Sequence, residues 1–172
     1  TGARVDFITF SGSGEPTLNK SIGWLIREIK KLTNIPVAVL TNSTLLSRAK
    51  VRKELLPADV VVPSLDAATQ RLLEKINRPY PSLRIEKIIE GLVKFRKEFK
   101  GQIWLEIMLV EGVNDSPAEI KKLKEAADRI NPDKIQLNTV VRPPAEKTAK
   151  PLTLEEMNKI KEFFGKKAEV VA

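Results

Sequence analysis

Val5-Asp6-Phe7-Ile8-Thr9-Phe10-Ser11-Gly12-Ser13-Gly14-Glu15-Pro16-Thr17-Leu18 sets the pattern for the whole chain. An apolar run through Phe10 gives way to a loop of small residues. Ile22, Leu25, Ile26, Ile29 and Leu32 then recur at three- and four-residue steps. The run suits an extended segment, whereas the later spacing lays one apolar stripe along a helix. The alternation continues outward, with strands expected at 5–10, 37–40, 60–63, 103–110 and 134–138 and a sixth at 169–171. Continuous runs such as Val60-Val61-Val62 fit strands covered on both faces, as parallel strands are.

Between them, Ile85, Ile88, Ile89, Leu92, Phe95 and Phe99 form a second stripe, and Ile120, Leu123, Ala127 and Ile130 a third. Ser116 with Glu119, and Thr153 with Glu156, read as capping boxes. Asn34-Ile35-Pro36 and Asn131-Pro132-Asp133 stop helices just before the next strand. Repeated strand-helix units of this length build an α/β fold, either a (β/α) barrel or an open doubly wound sheet. Both gather ligands at the carboxyl ends of their strands.

The chain's 172 residues, 42% hydrophobic and 30% charged, are enough for one domain with a real core. No apolar run approaches the roughly 20 residues of a membrane helix. The opening Thr1-Gly2-Ala3-Arg4 has no signal-peptide pattern and reads as a cut inside a longer, cytoplasmic protein. Cysteine and histidine are both absent. That excludes disulfides, thiolate and imidazole metal sites, and Cys or Ser-His nucleophiles within these residues. Abundant Lys and Glu lean toward a thermophilic source. The net charge of +8 suits an anionic partner, yet the bases are interleaved with Glu along helices, as on a salt-laced solvated surface.

Polar residues recur where each strand ends. After the first come Ser13, Gly14 and Glu15, where Gly lets a ligand approach the backbone and Pro16 holds Glu15 extended, leaving carbonyls available to an amine. A phosphate-cradling loop would want N–H groups, a following Lys and no acid, so Glu15 speaks against one. The second strand ends in Thr41-Asn42-Ser43 and the third in Ser64-Leu65-Asp66-Ala67. Hydroxyl, amide and carboxylate groups meeting there would suit a ribose and an amino-acid moiety, with Asp66 as acceptor. Alternatively, Ser43 and Asp66 cap the helices that follow.

These stretches, with Trp104-Leu105-Glu106-Ile107, Gly112-Val113-Asn114-Asp115 and Gln136-Leu137-Asn138, resemble in order the motifs of the radical S-adenosylmethionine superfamily. The resemblance runs from about Asp6 to Pro144 and is nearest to the iron-sulfur oxidoreductase and activating-enzyme branch. The Lys75–Pro79 stretch, expected as a loop, adds to it. It implies a partial TIM-like (β/α) barrel lacking its first βα unit, and S-adenosylmethionine bound at the strand ends. By the same resemblance, Ser13, Gly14 and Glu15 would hold the cofactor's amino group, largely through carbonyls. Thr41, Asn42, Ser64 and Asp66 would face its carboxylate or ribose, and Asn138 and Val140 the adenine. A [4Fe-4S] cluster would cleave the sulfonium reductively to a 5'-deoxyadenosyl radical that takes hydrogen from a substrate, with a protein or an RNA open as that substrate.

Three positions depart from the pattern, and one motif is absent. Ser13 and Ser43 stand where glycine is usual, and Glu106 stands where activating enzymes often carry arginine. The Cys-x3-Cys-x2-Cys ligands of the cluster are missing altogether, which implies a cluster loop upstream of Thr1 or a clusterless relative, and a chain inactive alone. Arg78, Glu106 and Arg142 are left as candidates for substrate contact. The rival readings are a barrel lyase or aldolase, for which no strand end offers a lysine, and a basic module binding nucleic acid or protein, for which aromatic interleaving is lacking.

Overall fold

The computed structural model describes residues 4–171. Six parallel strands form one sheet in sequence order: β1 (Ile8–Phe10), β2 (Val37–Thr41), β3 (Val60–Pro63), β4 (Gln102–Leu109), β5 (Lys134–Thr139) and β6 (Ala168–Val170). Their crossovers carry α1 (Ile22–Leu32), α2 (Ala49–Leu55), α3 (Gln70–Asn77), α4 (Ile85–Glu98), α5 (Pro117–Ile130) and α6 (Leu154–Phe164). The strand order never reverses, so there is no topological switch point and the doubly wound alternative falls away. The fold is the α/β partial barrel that the sequence leads one to expect.

Side chains alternate across each strand, and the two faces are covered differently. Val37, Val39, Val61, Ile103, Leu105, Ile107, Ile135 and Leu137 join the helical stripes in the main core. The other face carries a smaller cluster of Ala38, Val60 and Val62, with Phe7, Leu40 and Trp104 against it. On β4 this makes Ile103, Leu105, Ile107 and Leu109 buried and Trp104, Glu106 and Met108 only half so. Continuing the alternation past the strand ends places Asn42, Ser64, Glu106 and Asn138 on the inner face.

Three expectations need adjusting. The first strand is Ile8–Phe10 rather than 5–10, because it lies at the sheet edge and has only β2 to pair with. Helix α2 and a 3-10 turn at Pro16–Leu18 have too few apolar positions to show a stripe, and α3, with Leu72, Leu73 and Ile76 on one face, is only eight residues long. Lys75, Ile76 and Asn77 are accordingly the last turn of α3, and the loop begins at Arg78. Thr153 and Glu156 form a full capping box, but at Ser116 only the serine half is made. The Glu119 carboxylate turns instead toward Lys122 and Arg71.

The amino-terminal ends of the strands are stapled by two aspartates. Asp59 accepts from the Val37 N–H at 2.8 Å, and Asp133 from the Ile103 N–H at 2.8 Å. Lys30 and Arg96 close these groups from outside. Gly91 lets α4 rest on the backbone of the segment before α2: a Cβ there would lie 2.6 Å from the Ser47 nitrogen and 2.7 Å from the Leu46 carbonyl carbon. Gly91→Ala should therefore destabilise by about 1–2 kcal/mol net, since overpacking against backbone outweighs a helix-propensity gain of at most about 1 kcal/mol. Urea denaturation of the variant measures this.

Candidate functional site

The loop after β1 is held by its own acid. Glu15, extended at φ −87° and ψ 113° as its proline demands, caps the 3-10 turn. One carboxylate oxygen accepts from the Thr17 N–H (3.1 Å), the Thr17 hydroxyl (2.6 Å) and the Thr41 hydroxyl (2.6 Å), and the other from the Asn42 N–H (2.7 Å). With four donors satisfied, the carboxylate clamps the loop to the end of β2. The carbonyl of Glu15 accepts from Leu18 N–H and that of Pro16 from Asn19 N–H, so neither is free in the way the sequence suggests. Among the described residues, the Ser13 and Gly14 carbonyls take no such bond.

From Thr41 the bonding continues along the rim. Its hydroxyl accepts from the Ser43 N–H at 3.2 Å, and the Ser43 hydroxyl donates to the Ser64 carbonyl at 2.7 Å. Ser43 is buried at φ 68°, a left-handed conformation that favours glycine, which accounts for the glycine usual at this position. Here the serine trades backbone ease for a link between β2 and β3. Neither Ser43 nor Asp66 caps a helix: α2 begins after Arg48, and Thr69 caps α3.

Ser64 forms a parallel bridge with Glu106, and the Leu65 N–H donates to the Glu106 carbonyl at 2.9 Å. Asp66 is buried, one oxygen accepting from the Met108 N–H and the other from the Asn77 amide, each at 2.9 Å. Burial pushes its carboxyl above the usual carboxylate range, against the pull of those two donors. Asp66 is thus a strut between β3 and β4. Each of its oxygens takes one donor of the protein and keeps a further acceptor position.

Asn114 completes this part of the rim. Its amide donates to the carbonyls of Asp66 (2.9 Å) and Met108 (2.8 Å), and its oxygen accepts from the Val110 N–H at 2.8 Å. The asparagine was visible in the Gly112–Asp115 motif, but nothing in the sequence announced three backbone partners. Thr17, Asn77 and Ser43 were likewise missed as supports.

Two adjoining hollows open at this rim. The first, about 460 Å³, is lined by Ser11 to Pro16, the ends of β2 and β3, and Glu106. It brings together Ser13, Gly14, Glu15, Thr41, Asn42, Ser64 and Glu106. The second, about 380 Å³, shares Asn42 and Ser64 and adds Asp66, Arg78, Tyr80 and an apolar floor that includes Leu73 and Ile88. Arg78 ends α3 at φ 44° and pairs with Glu146. Asn138, Val140 and Arg142 line neither hollow. Burial, and next the charge of Asp66, raise the Glu106 carboxyl above its ordinary range, with Asn138 and Arg142 pulling the other way.

The profile of the Radical SAM superfamily matches residues 3–133. The chain belongs to the radical SAM superfamily. Its curated relatives include a protein named GTPase Obg from Brachyspira hyodysenteriae, 44% identical over 94% of this chain and 24% of its own length. A UPF0026 protein of Methanocaldococcus jannaschii is 36% identical over 94% of this chain and 50% of its own. A probable dual-specificity RNA methyltransferase RlmN of Chlorobaculum tepidum is 27% identical over 72% and 34%. The chain thus spans a quarter to about half of the length of these relatives.

Among solved structures, a domain of a pyruvate-formate lyase-activating enzyme from Bacteroides vulgatus superposes with a TM-score of 0.71 at 22% identity, covering 96% of this chain and 98% of that one. A radical SAM methyltransferase from Sphaerobacter thermophilus gives 0.73 at 22% identity, over 98% and 51%. The radical SAM partial barrel is the shared fold.

Two variants test the rim. Ser43→Ala loses the Ser64 bond while keeping a Cβ in the left-handed region, and should cost about 1–2 kcal/mol. Ser43→Gly loses the same bond but relieves the backbone, so it should cost less. Chemical denaturation compares them, and an alanine variant as stable as the glycine one would contradict the assignment.

Proposed function

We propose that this chain is the S-adenosylmethionine-holding core of a radical SAM enzyme, with the cofactor in the hollow behind Glu15. One observation carries the reading. A Cβ added at Gly12 or Gly14 would meet nothing within 4 Å, and neither glycine has a positive φ. Neither packing nor backbone geometry within the chain asks for glycine there. The remaining reason is room for a ligand against the backbone.

The residues present fit that ligand. The Ser13 and Gly14 carbonyls would accept from its ammonium, with Glu15 keeping the loop in place. Asn42 and Ser64 stand on the inner face for its carboxylate or ribose, and Asp66 acts through the strands it braces. Asn138 and Val140 would have to reach the adenine from beyond the hollow. Bound there, S-adenosylmethionine supplies a carbon–sulfur bond already activated by its sulfonium charge.

The [4Fe-4S] cluster of the family does not fit this chain's own residues. There is no cysteine, and among the described residues no group of three metal-ligating side chains occurs. The chain alone is expected to bind and orient the cofactor without turning it over.

The second hollow supports a substrate place next to the cofactor, with Arg78 at its edge, Asn42 and Ser64 between the two, and Glu106 in the wall of the first. Arg142, exposed beyond β5, belongs to the same side. An oxidoreductase or activating-enzyme role rests on the motifs. An RNA substrate is the second reading, favoured by the RlmN relatives and the net charge of +8. Neither hollow contains a lysine, which argues against a Schiff-base aldolase. Among the described residues, no helix is long and apolar enough to cross a membrane.

Gly14→Ala separates binding from folding. Its stability should stay within about 0.5 kcal/mol of the parent, because the Cβ meets open space. S-adenosylmethionine binding, followed by calorimetry, should weaken at least about tenfold. Unchanged affinity in the variant would count against the site.

A further inference from the structure

The first hollow carries two carboxylates, Glu15 and Glu106, and neither lysine nor arginine in its lining. The Glu15 carboxylate is consumed by the loop clamp. Glu106 is not. It stands half-buried on the inner face of β4, bridged through its backbone to Ser64. Beside it the Asn138 side-chain oxygen is buried without a partner among the described residues. Asn138 donates to the Glu106 carboxylate, and no lysine or arginine lines the hollow to neutralise it. A ligand that supplies positive charge there would meet that carboxylate.

We infer that Glu106 makes this hollow selective for a sulfonium over an uncharged thioether of the same shape. The inference rests on reading the hollow as the S-adenosylmethionine site. A full positive charge distinguishes S-adenosylmethionine from S-adenosylhomocysteine, whose amino-acid and adenosine parts are otherwise shared. An ionised carboxylate at the floor acts on that difference alone. The charged and titratable groups facing Glu106 are Asp66 beyond the end of β3, Arg142 beyond β5 and Glu15 across the hollow. Burial, and next Asp66, raise the Glu106 carboxyl, and an arriving cation opposes them.

The test titrates the protein and its Glu106→Gln variant with S-adenosylmethionine and with S-adenosylhomocysteine by calorimetry, from about pH 5 to about pH 7.5. The parent should prefer the sulfonium by about tenfold at the upper pH, and glutamine should erase the preference while leaving thioether affinity within about twofold. Sulfonium affinity of the parent should rise with pH, because the raised Glu106 must ionise to act. The thioether curve should stay flat, and any slope left in the variant belongs to groups other than Glu106.

Equal affinity of the parent for both ligands overturns the inference and leaves the pocket assignment standing. So does a preference that survives in the glutamine variant. Affinity for both ligands falling together as pH rises also overturns it, since a neutral Glu106 would then be donating to the shared amino-acid carboxylate. Binding of neither ligand overturns the pocket assignment with it. The parent's pH series holds even if the variant folds poorly, which a thermal melt reports.

Discussion

A single carboxylate organises the ligand-facing end of this protein. Glu15 takes donors from its own loop and from the end of the neighbouring strand, through oxygens that would otherwise be left half-solvated beside an edge strand. A hydrogen bond to a charged acceptor contributes about 1.5–3 kcal/mol each in favourable settings, more than a neutral one. Several of them converging on one side chain suffice to fix a loop that has little apolar contact of its own. β1 is only three residues long and pairs on one side, so the clamp adds a tie to β2 that strand pairing alone does not supply.

The remaining rim follows from that anchor. Thr41 passes the link to Ser43, Ser43 to Ser64, Ser64 and Leu65 to Glu106, and Asp66 with Asn114 to β4. Farther on, the Thr139 hydroxyl donates to the Leu109 carbonyl and accepts from the Leu152 N–H. The carboxyl ends of β1 to β5 are thereby tied in turn by side chains. Strand pairing alone fixes register; the ties fix where the end of each strand points. A preorganised rim loses less on ordering around a small ligand.

The strands were legible because the central ones, covered on both faces, are uninterrupted apolar runs that few other structures explain. The long helices showed for the same reason, through their stripes. What escaped was stabilised by polar contacts instead. In α2 the buried Arg52 bonds to the Leu46 and Ser47 carbonyls and forks onto Glu98, a pattern that no apolar stripe reveals. The convergence of Ser13, Gly14, Glu15, Thr41, Asn42, Ser64 and Glu106 followed from strand order and alternation. The division of labour among them did not, because whether a carboxylate faces ligand or backbone depends on which donors folding brings near it. Glu15 and Asp66 look equally available in the sequence, yet folding gives Glu15 four donors of the protein and Asp66 two.

The most direct test of this account is a crystal structure of the protein soaked with S-adenosylmethionine. The account predicts the ammonium on the Ser13 and Gly14 carbonyls, with Glu15 still bonded to Thr17, Thr41 and Asn42. A Glu15 carboxylate swung out to grip the ligand itself, or a ligand seated away from this rim, would contradict it.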